Sequence, residues 1–449
     1  MSGLKNFQAK QLPTHLGVSG WDAILPGQTP GVVLEENAEA DFVIIGGGFA
    51  GLAAARRLTQ LAPEARIVLL EAGRIAEGSA GRNSGFMIDL PHELTSEDYA
   101  GSGDDRTLIK LNRQAQDFAG LAVAEYGIDP NYFDKAGKVN GAASAKTHEH
   151  NVSYAKHLET LGEHSELLDA KQMEELTGSR HYLSGLYTPG TVMLQPAGFV
   201  RGMAVGLARD KVRLFEKTPA TGFARSGNGW VVTTPKAQVK TGKLILAVNG
   251  HLESFGFQRG RLMQLFLFAT MTPELDGEAL AKLGGQNRWG ITPSDPMGTT
   301  MRRIDSGQGG NRLITRTCAV LRSGLAANKD DLYRAQKVMR SKFDRRFPQL
   351  AGMKMEYSWA GHLCLTLNGV SVMAEVADGV FSACVQNGLG AARGTLTGIG
   401  AAELACGVSS DITRHFSSEA APKSLPPRPV RDVGANVVLR WKEWLASEE

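Results

Sequence analysis

Cysteine is scarce in this chain, with four thiols in 449 residues (Cys318, Cys364, Cys384 and Cys406) and no C-x-x-C among them. That spread argues against a disulfide scaffold and a zinc site. Charge of one sign is lacking too. The 49 Lys and Arg offset 46 Asp and Glu for a net of +3, so neither nucleic acid nor an acidic membrane is an expected partner. No apolar run approaches the ~20 residues that span a bilayer, so no transmembrane segment is expected. Residues 1–28 lack the continuous apolar core of a secretory signal. No Ser/His/Asp set or paired carboxylates argue for another class of reaction. The expectation is a soluble, cytoplasmic protein whose 42% hydrophobic residues fill the cores of two domains.

Glycine is plentiful, at 53 residues, and the stretch from Asp41 to Glu71 organises the rest. Phe42-Val43-Ile44-Ile45 is an unbroken apolar run with β-branched residues, suited to a strand buried on both faces. It runs into Gly46-Gly47-Gly48-Phe49-Ala50-Gly51, a G-x-G-x-x-G, and then into an alanine-rich segment with Leu52, Ala55 and Leu58 on one face. A helix is predicted to begin within the glycine turn. Arg66-Ile67-Val68-Leu69-Leu70 predicts a second buried strand ending at Glu71. In such a unit Gly46 permits the tight turn, Gly48 lets the backbone approach a pyrophosphate, and Gly51 lets helix and strand pack closely. The helix N-terminus offers N–H groups and positive charge to phosphates. Glu71 stands where a carboxylate accepts from a ribose hydroxyl. The motif alone does not separate NAD from FAD.

The next segment separates them. Glu71-Ala72-Gly73-Arg74 leads to Gly78-Ser79-Ala80-Gly81-Arg82-Asn83-Ser84-Gly85, a second small-residue polar cluster of the kind a longer ligand requires. Here the chain resembles the FAD-dependent D-amino-acid-oxidase superfamily, which includes glycine, sarcosine and γ-glutamylputrescine oxidases. In that family E-A-x-R followed by G-A-S-G-R-N-x-G wraps the diphosphate and reaches the flavin. The implied fold class is α/β: a Rossmann-type FAD-binding domain with a three-layer ββα architecture, interleaved with an α+β substrate domain built on an antiparallel sheet.

The resemblance divides the chain into an arm at 1–40 and FAD-binding segments at 41–90, 195–250 and 355–420. Between these lie a mainly helical substrate-domain insertion at 91–194 and an antiparallel sheet at 251–354, with a tail and short helix at 421–449. It implies cofactor contacts at Ala220 beside Pro219, at Ala247, Asn249 and Gly250, and at Asn387, Gly388, Leu389, Gly390 and Thr395. Leu389 stands where the family often has a histidine, so stabilisation of the flavin's pyrimidine end falls to backbone N–H groups. Arg302 and Arg303 alternate along a predicted hairpin strand, so one of them at most faces the pocket. His362, Arg303 and Gln386 are the substrate-facing candidates. His362 and Cys364 share one face of a strand that resembles the family's return into the FAD domain. After Asn368 the chain departs from the family pattern, with Gly369-Val370-Ser371-Val372 in place of a proline and an acid. Cys364 lies near the position where some sarcosine oxidases link flavin covalently. A buried structural thiol and non-covalent FAD are expected instead.

The implied reaction is oxidation of the C–N bond of an amine or amino acid. Hydride passes to flavin N5, and the resulting imine hydrolyses to a carbonyl compound and an amine or ammonia. Oxygen or another carrier takes the electrons, and a homo-oligomer is compatible with the pattern. Oxidation of a 2-hydroxy acid is a rival, and so is a flavin-bearing subunit or binding protein that needs a partner. A helix predicted over 437–445, carrying Trp441 and Trp444, packs either on the body or on a partner.

Overall fold

A computed structural model describes residues 6–28, 31–91 and 104–449. Residues 1–5 and 29–30 of the expected arm and 92–103 of the expected insertion lie outside that description.

The apolar runs become a parallel sheet in the order Val380–Cys384, Gln238–Leu246, Ala38–Ile45, Ile67–Leu70, Arg213–Phe215. Side chains alternate across it. Phe42, Ile44 and Leu69 join the core shared with helices Phe49–Leu61, Pro196–Arg209 and Gly390–Ala405. Val43, Ile45 and Val68 meet Phe223, Trp230 and Val232 of an antiparallel meander on the opposite face. Burial on both faces is why these strands read as continuous hydrophobic runs. Asn6–Gln8 of the arm adds an edge strand to Gly222–Ser226.

The second sheet has eight strands in the order Tyr357–Leu365, Met263–Met271, Arg312–Leu321, Thr300–Ile304, Trp289–Pro293, Lys138–Ala142, Ser184–Thr188, Glu166–Asp169. Helix Lys329–Arg346 buries Ala335 and Met339 against Phe266, Phe268 and Val320 of this sheet. One boundary differs from the sequence expectation. Tyr357–Leu365 pairs along its whole length with Met263–Met271, from Met263 opposite Leu365 to Met271 opposite Tyr357. The chain therefore rejoins the parallel sheet only with Val372–Ala377 and Val380–Cys384, not at residue 355. An alternating strand pattern reports which residues are buried and carries no information on which sheet buries them.

Candidate functional site

A cavity of about 320 Å³ is walled by both sheets, the loops that cross between them, and the arm. The glycine turn forms part of its wall. Gly46 has φ +106°, a conformation glycine adopts without penalty, and its N–H donates to Leu70 O at 2.8 Å. A Cβ on Gly51 would stand 1.8 Å from Gly46 O, so this glycine serves helix–strand contact behind the cavity wall. A Cβ on Gly48 would meet only Ala80, at 3.6 Å, and would otherwise stand open towards the cavity, which Phe49 and Ala50 also line. Glu71 is held before any ligand arrives. Its Oε2 accepts from Gly47 N at 2.7 Å and its Oε1 from Gly73 N at 2.9 Å. Burial still holds its carboxyl above the usual carboxylate range, against the opposing pull of those two donors.

Ala72, Arg74, Ser79, Ala80, Arg82, Asn83 and Ser84 continue the wall. Arg74 pairs with Asp22 of the arm at 3.4 Å. Arg82 turns its guanidinium to backbone carbonyls of Glu77, Gly17, Leu16 and Ala360, which makes it a brace joining loop, arm and second sheet. Asn83 closes its own loop, donating to Ala80 O at 2.6 Å and accepting from Gly85 N at 2.8 Å. Pro219, Ala220, Ala247 and Asn249 also reach the cavity.

His362, Cys364, Gln386, Gly388, Leu389 and Gly390 share the same wall. His362 Nε2 lies 2.9 Å from Gln264 Oε1, and the Gln264 amide nitrogen donates to Gly250 O and Glu253 Oε2. That fixes the amide, so Nε2 carries the imidazole proton and Nδ1 is the acceptor. Burial, with His251 and His15 nearby, lowers the His362 pKa to about 3, and it is neutral at physiological pH. Burial pushes the Cys364 thiol well up, which keeps it protonated. Gly390 opens helix Gly390–Ala405, and no atom lies within 4 Å of where its Cβ would stand.

Several expected site residues lie elsewhere. Gly81 and Gly85 stand behind the wall: a Cβ on Gly81 would be 2.0 Å from Ala76 O, and one on Gly85 2.6 Å from Leu194 O. Gly250 is pressed against Gln264 and His362. Asn387 turns its amide to the 366–370 loop, accepting from Thr366 N at 2.8 Å and donating to Val370 O at 2.8 Å. Thr395 is buried in its helix and bonds Ala391 O, while Gly394 takes the place beside the cavity. Arg303 is a correction. It shares the strand face of Met301, away from the cavity, and donates to Gly284 O. Arg302 has the inward parity, yet it is spent on the carbonyls of Gly85 and Leu194 and on Gln308.

Arg316 is a further cation on the wall, directly across the ladder from Thr300, which also lines the cavity and whose Oγ1 lies 3.5 Å from Arg316 Nη1. Pairing register would have been needed to find it. Arm residues Gln11, Leu12, Pro13, Thr14 and His15 were missed as well, because an irregular segment has no periodicity to read.

The donor set suits a flavin dinucleotide. An open cradle lies at Gly48, helices Phe49–Leu61 and Gly390–Ala405 both begin on the cavity wall, and the buried Oδ1 of Asn249 has no hydrogen-bond partner among the described residues.

Comparison with known proteins agrees. A family model described as FAD dependent oxidoreductase matches residues 41–404. A probable oxidoreductase, OrdL, of Rhizobium meliloti is 24% identical over 90% of this chain and 91% of its own. γ-Glutamylputrescine oxidoreductase of Escherichia coli is 24% identical over 83% of this chain and 84% of its own. The crystal structure of glycine oxidase from Geobacillus kaustophilus superposes with a TM-score of 0.68 at 17% identity, covering 83% of this chain and 96% of that one, a likeness of fold.

Proposed function

The chain belongs to the FAD dependent oxidoreductase family, and from that premise we propose that it oxidises the C–N bond of a small amine or amino acid. The observation that carries this reading is that one cavity brings the glycine turn and Glu71 together with Arg316, His362 and the strand segment that holds Leu267 and Ala269. FAD, when bound, supplies the two-electron acceptor for such a reaction. Gly46, Gly48, Phe49, Ala50, Glu71 and Ser79 would hold its dinucleotide half.

The remaining work falls to the chain's own residues. Arg316 offers a cation to a substrate carboxylate, favouring an amino acid over a simple amine. Leu267 and Ala269, the latter directly across the ladder from Arg316, exclude water, which strengthens that attraction. His362, neutral with Nδ1 as acceptor, can take a hydrogen bond from a substrate ammonium or amine. The N-terminus of helix Gly390–Ala405 presents backbone donors where negative charge would accumulate. The fully buried, protonated Cys364 supports non-covalent retention of the cofactor.

Oxidation of a 2-hydroxy acid would use the same carboxylate contact, and product analysis separates the two. Purified protein is mixed anaerobically with a panel of amino acids, amines and 2-hydroxy acids while flavin absorbance is followed. Bleaching by an amino acid with release of ammonia or amine is expected. Bleaching by hydroxy acids alone would replace the proposal with the rival, and a flavin that no member reduces would favour a subunit awaiting its partner.

A further inference from the structure

The C-terminal helix Val430–Leu445 faces the body with its polar side. Asn436 Oδ1 accepts from Leu321 N at 3.0 Å, Glu443 Oε1 accepts from Ala319 N at 2.8 Å, and Asp432 accepts from Ser323 Oγ at 2.5 Å. Glu443 also pairs with Arg334 at 2.9 Å. These bonds set the rotation of the helix about its axis, and the apolar side is left pointing outward. At about 100° per residue, Val430, Val433, Val437, Trp441, Trp444 and Leu445 fall in one stripe. Trp441 is 57% exposed, Trp444 69% and Val437 62%. With Val438 the stripe offers roughly 800 Å² of apolar side chain, about what one partner contributes to a standard interface. A lone soluble protein seldom shows so much in one patch. The helix also lies outside the family match at 41–404, so the common chemistry does not account for it.

Gly434 identifies the occupant. It sits inside the stripe in ordinary helical conformation, where glycine costs about 0.5–1 kcal/mol relative to alanine. Among the described residues no atom lies within 4 Å of where its Cβ would stand. Nothing among the described residues requires a side chain to be absent there, whereas a closely approaching helix does. We propose that the stripe docks on the same stripe of a second copy, antiparallel, about a two-fold axis passing between Val437 and Val438. Counting outward from that axis, Trp441 of one copy falls opposite Gly434 of the other, and Leu445 opposite Val430. The symmetry makes each pairing occur twice, an indole over a vacant position on both sides. A lipid surface would impose no such relation between Gly434 and Trp441.

The test uses the full-length, flavin-loaded protein, its mass measured by sedimentation equilibrium over a wide concentration range. A dimer of twice 48.1 kDa is expected. Val437→Asp and, separately, Gly434→Trp should leave a monomer with the parent's flavin spectrum, and Gly434→Trp/Trp441→Ala should restore the dimer by exchanging knob and hole. Should a bulky variant misfold, Val437→Cys/Val438→Cys provides a second route. It should form a covalent dimer under mild oxidant where the parent does not. A parent that is monomeric throughout, a dimer indifferent to Gly434→Trp, or a folded double-cysteine variant that never cross-links would each overturn the proposal. So would a monomeric parent that sediments with anionic phosphatidylglycerol vesicles and loses that binding in Val437→Asp.

Discussion

The indole Nε1 of Trp21 donates to the carbonyl oxygen of Asn83 at 2.8 Å, tying the N-terminal arm to the second glycine-rich loop of the cavity wall. Trp21 is wholly buried, and its own carbonyl accepts from Gln195 Nε2 at 2.8 Å. The arm is thus part of the site's frame, because the residues just before this anchor line the cavity.

Trp21→Phe keeps most of the apolar volume and loses the hydrogen bond, so a stability loss of about 0.5–1.5 kcal/mol is expected. Trp21→Ala should cost about 3–5 kcal/mol. Both variants should release flavin faster than the parent. Thermal melts read by flavin fluorescence check this, and unchanged retention in the alanine variant would separate the arm from the site.

Gly48 and Gly51 make a matched pair. Gly51→Ala drives a methyl into the Gly46 carbonyl and should destabilise the protein whether or not flavin is bound. Gly48→Val adds its bulk on the open side, so the apoprotein should melt near the parent's temperature while flavin affinity collapses. Equal losses of apoprotein stability in the two variants would contradict the assignment of Gly48 to the ligand.

Three histidines of the wall should make the fold acid-sensitive. His15 and His251 are lowered to about 4 and His362 to about 3, each chiefly by burial. The unfolded chain binds protons at these positions from about pH 6.5 downward, whereas the folded chain does not. Stability is therefore complete above that pH and is lost as pH falls towards 4 and then 3, each histidine contributing a slope of at most about 1.4 kcal/mol per pH unit. Urea midpoints measured across that range should depend less on pH in His362→Gln than in the parent.

The turn at 387–390 should act through its backbone. Gly388 has φ +89° and Asn387 φ +48°, so Gly388→Val forces a branched side chain into a conformation it resists. Gly390→Val meets no protein atom and projects into the cavity, so it should slow flavin reduction with little change in melting temperature. Leu389→Ala should be milder in rate. A dead Leu389→Ala beside normal glycine variants would assign the function to the side chain.

Arg316→Met should raise KM for carboxylate-bearing amines about tenfold to a hundredfold, the value of a charged hydrogen bond. Amines without a carboxylate should be affected far less. Equal losses for both classes would mean that Arg316 holds the wall and not the substrate.

The parallel sheet and its glycine turn were legible in the sequence because a doubly buried strand and a helix-opening glycine motif each leave a dense local pattern. The roof of the cavity was not, because its chemistry depends on register. Arg303 and Arg316 stand on adjacent strands of one hairpin, and which of them faces inward is decided by the connection between the strands. There Asp305 caps a turn that ends in Gly309 and Gly310, both at positive φ. That connection places Thr300 opposite Arg316 and gives Arg303 the outer face. Asn387 and Thr395 were misplaced for a related reason. A motif locates a turn, but only the loop packed beside it decides which of its polar side chains are already engaged.

The cavity wall draws on residue 9 at one extreme and residue 394 at the other. A nascent chain cannot complete it before residue 394 has emerged, about 20–80 s after residue 9 at about 5–20 residues per second. The wall therefore cannot close around a ligand before the last third of the chain has joined the first, and until a ligand enters, both sheets stand built with the space between them open.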